Sequence, residues 1–125
     1  MNVLDTTVAV DHLRGSKEAV ALVRGLVEAD VPLVASEVAR LELLAGVRTG
    51  ELEALEAFFT AVSWVPVNED VARTAGSLAR TYRSAHGGIG DADYLIAATA
   101  LVLDAELLTT NVRHFPMFER LEPPY

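Results

Sequence analysis

The chain has 125 residues, 51% of them hydrophobic, which suits one compact domain with a real core. It contains no cysteine, so disulfides, thiolate catalysis and cysteine zinc sites are excluded. A net charge of −8 and a pI near 4.7 repel phosphate backbones. Any nucleic-acid chemistry would need a local basic patch, a bound cation or a second subunit.

Asn2 to Leu4 reads as a short strand running into Asp5, followed by a helix from Thr6 to Arg14. Gly15-Ser16 breaks the pattern, and Ser16 starts a second helix that reaches Ala29. Pro32 introduces a strand at Leu33 to Ala35, and Ser36 caps a helix that carries Glu42 and ends at Gly46. A helix over Glu51 to Ala61 precedes a third strand, Ser63 to Val67. Asn68 caps a long helix to His86, ended by Gly87-Gly88, and Asp91 opens another to Leu103. Glu106 to Thr109 is a fourth strand, and Glu119 to Leu121 is a candidate fifth at the edge.

Short strands alternating with helices predict a three-layer α/β/α sandwich with a mainly parallel central sheet, residues 1–125 forming one domain. Asp5 interrupts the apolar start, which speaks against a secretory leader. The longest strongly apolar run, Tyr94 to Leu103, is shorter than the roughly 20 residues a membrane span requires. The expected location is the cytoplasm.

This topology collects Asp5, Glu42, Asp91, Asp93 and Asn111 near the carboxyl ends of the strands, where open parallel sheets bind ligands. Carboxylates crowded there repel by roughly 4 kcal/mol per pair at about 4 Å and moderate dielectric. A divalent cation among the oxygens would relieve that repulsion. Glu42 has Val38, Ala39, Ala45 and Gly46 as its helical neighbours and no basic residue on its face. It is either a metal ligand or half of a buried ion pair, whereas Glu37 has Arg40 three residues on. Taken alone, Asp5 reads as a plain helix cap at a strand-to-helix turn, and Asp91 in particular looks like an N-cap. Asp93 opens an almost wholly apolar helix, so its carboxylate must face the crevice or be stranded. Asn111 is either a turn residue or part of the site, and His114 reads as a surface-loop histidine.

Leu4-Asp5-Thr6-Thr7-Val8 with Asp11-His12-Leu13-Arg14-Gly15 resembles the opening of PIN-domain ribonucleases of the VapC toxin type. Glu42-Leu43-Leu44-Ala45-Gly46, Asp93 to Ala100, and Leu107 to Phe115 resemble the family's other motifs, in order and at family-like spacing. The resemblance implies a magnesium-dependent endoribonuclease, also accepting Mn²⁺, that acts as the toxin of a type II toxin–antitoxin pair. Asp5, Glu42 and Asp93 would be its metal-binding acids, with Asp91, Asn111 and Thr110 in support. By topology rather than by resemblance, Arg14 and Arg113, together with Arg48, Arg83, His86 and His114, are the basic residues nearest the acids and the candidates to contact RNA. The resemblance also implies a homodimer and a groove for the cognate antitoxin. Thr7 stands where many relatives have Asn, and Asn111 where a fourth acid is often found, which argues against a strong second metal site.

Three other classes fit less well. A phosphate-accepting receiver pocket pairs its acids with a lysine after a late strand, but Lys17 is the only lysine here and lies early. A PIN-type DNA nuclease usually brings extra helical regions. A non-catalytic interaction module of the same fold remains open on sequence alone.

Overall fold

The computed structural model describes all residues from Met1 to Tyr125. A strand, β1 (Asn2–Leu4), leads through Asp5 into α1 (Thr6–Leu13) and then α2 (Lys17–Glu28). The chain continues through β2 (Leu33–Ser36), α3 (Glu37–Gly46), α4 (Leu52–Ala61) and β3 (Ser63–Val65). It closes with α5 (Glu69–Tyr82), α6 (Asp91–Val102), β4 (Glu106–Leu108) and a 3₁₀ turn at Val112–His114. The four strands form a parallel sheet in the order β3-β2-β1-β4, with Val3 opposite Val34 and Leu107.

Period-two alternation sorts the strand residues onto two faces. Leu4, Leu33 and Ala35 pack with Val8, Val23, Leu43, Leu55, Phe58 and Phe59 on one side. Val3, Val34 and Leu107 pack with Ile96, Ala97, Ala100 and Phe115 on the other. Helix α6 is buried almost all round, with Ile96, Ala97, Ala98, Thr99 and Ala100 at zero exposure, as its lack of a polar face predicts. The small alanines let α5 pack closely against it through Val71 and Ala75. The sandwich expected from the alternating pattern is therefore the fold.

Four boundaries differ from the sequence reading. The third strand stops at Val65 because Pro66 has no N–H for the ladder. Helix α5 ends at Tyr82, after which Ala85 and His86 N–H groups both turn back to the Tyr82 carbonyl. Glu119 to Leu121 is not a strand, since Arg120 adopts φ +58°, a left-handed conformation incompatible with extended chain. The cap of α6 is Gly90 and not Asp91; Asp93 Oδ2 accepts the Gly90 N–H at 3.2 Å. The caps at Ser36 and Asn68 form as expected, accepting from Val38 N–H at 3.1 Å and Val71 N–H at 3.0 Å.

The order of the strands places the switch point between β1 and β4, because the chain leaves β1 toward β2 and returns on the opposite edge. The Asp5 N–H donates to the Leu108 carbonyl at 2.9 Å, bringing the two strand ends together there. No helix is long and apolar enough to cross a membrane.

Candidate active site

A crevice of about 430 Å³ opens at this switch point, lined by Asp5, Thr6, Thr7, Val10, Asp11, Glu42, Asp93, Thr110, Asn111 and His114. Asp5 caps α1, its Oδ1 accepting the Thr6 N–H at 2.8 Å. The cap and the crevice are thus the same carboxylate. It is 3% exposed, and its Oδ2 accepts the hydroxyls of Thr109 at 2.7 Å and Thr7 at 3.1 Å. Burial pushes the Asp5 carboxyl above its ordinary value. The hydrogen bonds from Thr109, Thr7 and Thr6 pull it down, and the charge of Asp93 pushes it further up.

Glu42 reaches the same crevice from α3, half-buried, its Oε1 accepting the Thr6 hydroxyl at 2.7 Å. Its ion-pair alternative is not realised, for the basic side chain on that helix, Arg40, is taken by Glu37 at 2.7 Å. Arg40 also lies over the Trp64 ring, 4.2 Å from its centroid, which fixes it away from Glu42. Asp93 enters from the first turn of α6, where its Oδ2 meets His114 Nδ1 at 3.1 Å.

The loop after β4 ties these groups together. Thr109 is fully buried and accepts the Asn111 N–H at 2.9 Å on the hydroxyl that serves Asp5. Thr110 donates its N–H to the Thr7 hydroxyl at 3.2 Å. The Asn111 side-chain nitrogen lies 2.9 Å from His114 Nδ1.

Other sequence expectations fall elsewhere. Asp91 is outside the crevice; its exposed carboxylate pairs with Arg83 because residue 91 starts the helix on the side facing the end of α5. Arg113 is exposed and does not line the crevice, since the 3₁₀ turn directs His114 there instead. Arg14 borders a neighbouring cavity of about 250 Å³, shared with Glu42 and walled by Val10, Leu13, Leu43, Val47 and Leu55. His114 is not a loop residue directed to solvent but part of the site.

Three contributors escaped the sequence reading. Asp11 lines the crevice one helical turn and a half after Asp5, and the Tyr125 hydroxyl donates to it at 2.7 Å. Thr6 looks like an ordinary helix-start threonine and Thr109 like an ordinary strand-end one until the strands are paired. For Asp11 the available signal was its place in the opening motif, Asp11-His12-Leu13-Arg14-Gly15.

The donor set suits a hard divalent cation. Asp5, Glu42 and Asp93 bring only oxygen to one opening, with no thiolate and no Lys or Arg partner for Asp5 or Glu42. No three Asp, Glu or His side chains stand close enough together to hold an ion by themselves.

Residues 3–121 match the PIN domain family. The chain is 63% identical over 125 residues to Ribonuclease VapC19 of Mycobacterium tuberculosis, covering all of both chains. It is 46% identical over 127 residues to Ribonuclease VapC10 of the same organism, covering all of this chain and 93% of that one. Its fold is similar to VapBC-1 from nontypeable Haemophilus influenzae, with TM-score 0.75, 27% identity, and coverage of 91% of this chain and 89% of that one. It is also similar to a toxin-antitoxin complex from Klebsiella pneumoniae, with TM-score 0.81, 22% identity, and coverage of 100% and 98%. On the family match and on full-length identity to these relatives, the chain belongs to the PIN domain family.

Proposed function

We propose that this protein is a metal-dependent endoribonuclease, the toxin of a type II toxin–antitoxin pair acting in the cytoplasm. The carrying observation is that Asp5, Glu42 and Asp93 line one crevice while no Lys or Arg pairs with Asp5 or Glu42. A cluster of acids without cations is costly, and a divalent ion is the partner it is built for. Ribonuclease VapC19 and Ribonuclease VapC10, its relatives, bear names that fit the same activity.

Asp5, Glu42 and Asp93 would hold Mg²⁺, with Mn²⁺ as a substitute. When bound, the cation supplies charge neutralisation for the phosphodiester and acidifies water for hydrolysis. The chain's own residues hold and orient. Thr7 and Thr109 fix the Asp5 carboxylate through their hydroxyls, and Thr6 fixes Glu42. Thr110 and Asn111, at the crevice wall, orient water or phosphate oxygen.

The apolar cavity beside Glu42 suits a segment of the cognate antitoxin, in line with the toxin-antitoxin assembly of the Klebsiella pneumoniae relative in fold. A homodimer is also part of this reading. Val23 of α2 and Leu55, Phe58 and Phe59 of α4 are taken up by the core. Leu41, Leu44 and Leu52 remain exposed and are the better candidates.

The test is cleavage of structured RNA over a Mg²⁺ titration, by wild type and by Asp5→Asn. Cleavage that needs the cation and disappears in the variant is expected. Cleavage that survives both EDTA and Asp5→Asn overturns the reading, and a folded wild type inert toward RNA with Mg²⁺ or Mn²⁺ favours a non-catalytic module.

A further inference from the structure

His114 Nδ1 lies 3.1 Å from Asp93 Oδ2 and 2.9 Å from the side-chain nitrogen of Asn111. A carboxylate oxygen only accepts, and an amide NH₂ only donates, so one ring nitrogen cannot satisfy both groups in this arrangement. With a bare Nδ1, the ring would accept from Asn111 and turn its lone pair on the Asp93 charge. With a hydrogen on Nδ1, it donates to Asp93 and also reaches the Asn111 amide once that group is turned over, oxygen for nitrogen, at no change of shape. Hydrogen bonds to a charged acceptor are about twice as strong as neutral ones, so the second arrangement wins. The same Asp93 oxygen otherwise takes only the Gly90 N–H, at 3.2 Å.

The ring is held there independently of Asp93. His114 ends the 3₁₀ turn, its N–H bonds the Asn111 carbonyl at 3.0 Å, and the next residue, Phe115, is 1% exposed in the core. Asn111 in turn is anchored through its N–H to Thr109, the residue that serves Asp5. A continuous chain of contacts therefore runs from Asp5 through Thr109, Asn111 and His114 to Asp93.

We propose that His114 is a positioning residue of the crevice, its Nδ1–H holding Asp93 Oδ2 so that Oδ1 is left for the cation, and turning the Asn111 amide so that its NH₂ is offered to a phosphate oxygen. The proposal rests on the metal-dependent reading above. It gives Asn111 a purpose: a neutral donor to an anionic substrate, in a protein whose net charge of −8 gives little help in binding one.

The tautomer is tested on the metal-free wild type by nitrogen-15 NMR of the imidazole, at a pH above the ordinary histidine range. Nδ1 protonated and Nε2 bare is expected; Nε2–H with a bare Nδ1 overturns the proposal. Mn²⁺ affinity, read by electron paramagnetic resonance, is then compared for wild type, His114→Ala, His114→Asn and Asp5→Asn. His114→Ala should bind Mn²⁺ about tenfold more weakly, as loss of a partner behind a metal ligand does. His114→Asn, whose amide nitrogen falls near the place of Nδ1, should restore most of that affinity. Wild-type affinity in His114→Ala, or no recovery in a folded His114→Asn, overturns the proposal. Asp5→Asn separates the two readings: if it binds Mn²⁺ as well as wild type, the metal site itself is misplaced, and the proposal falls with it.

Discussion

Thr109 Oγ1 donates to Asp5 Oδ2 at 2.7 Å, joining two residues 104 positions apart in the chain. The hydroxyl also accepts the Asn111 N–H at 2.9 Å, so one buried oxygen sets both the acid and the loop beside it. Thr109→Val keeps the shape and removes both bonds. It should cost about 1–3 kcal/mol of stability, because the part-buried Asn111 N–H loses its partner and Asp5 Oδ2 keeps only the Thr7 hydroxyl. Cleavage should fall by about tenfold or more. Thr109→Ser should retain both properties. Urea unfolding and RNA cleavage of the two variants decide the matter, and a Val variant as stable and active as wild type would contradict it.

The pH dependence of the metal-free protein should carry the signature of Asp5. Its folded carboxyl is raised above the ordinary value of 3.8, burial being the main cause. The folded state therefore holds the proton more tightly than the unfolded chain does. That contribution to stability is complete below the unfolded value and is lost as pH rises through the raised folded value. In EDTA, wild type should lose stability relative to Asp5→Asn as pH climbs above about 4. Saturating Mg²⁺ should restore it by binding only the folded state. Melting temperatures of the two proteins that run parallel at every pH would refute this.

Glu42→Gln should separate a metal ligand from a structural ion pair. Gln keeps the oxygen that accepts the Thr6 hydroxyl, and no basic partner is abandoned. The variant should therefore be at least as stable as wild type without metal, since a like charge beside Asp5 and Asp93 is gone. Calorimetry should show weaker metal binding. A sharp loss of stability in EDTA would mean that a cation on the protein was holding Glu42.

The two aspartates of α6 should behave oppositely. Asp93→Asn should be nearly inactive, because its carboxylate lines the crevice. Asp91→Asn should keep most activity, since its exposed side chain meets only Arg83 and exposed pairs contribute at most about 1 kcal/mol. Cleavage over a magnesium titration compares them. An inactive Asp91→Asn beside an active Asp93→Asn would place the site two residues away from where it is drawn.

Much of this molecule can be read from local chemistry. The alternation of strand and helix, the caps at Ser36 and Asn68, and an α6 without a polar face follow from side-chain period and backbone hydrogen bonding, which act within a few residues. Asp5, Glu42 and Asp93 also stand out in the sequence, as acids at strand ends or on apolar helices, where charge is costly. What neighbouring residues could not settle was orientation. Asp91 and Asp93 are two residues apart in one helical turn, so they point in different directions, and only the packing of α6 against the sheet and α5 decides which enters the crevice. Glu42 is free of a cation because Arg40 is drawn to Glu37 and stacked on Trp64, a side chain brought from β3. Thr109 and His114 gain their meaning from the β1–β4 pairing, which sets residues more than a hundred positions apart at one strand end. Sequence determines which residues carry charge and which segments form elements, because those depend on local free energy. Which of the charges meet is decided by the order of the strands, and that is a property of the whole chain.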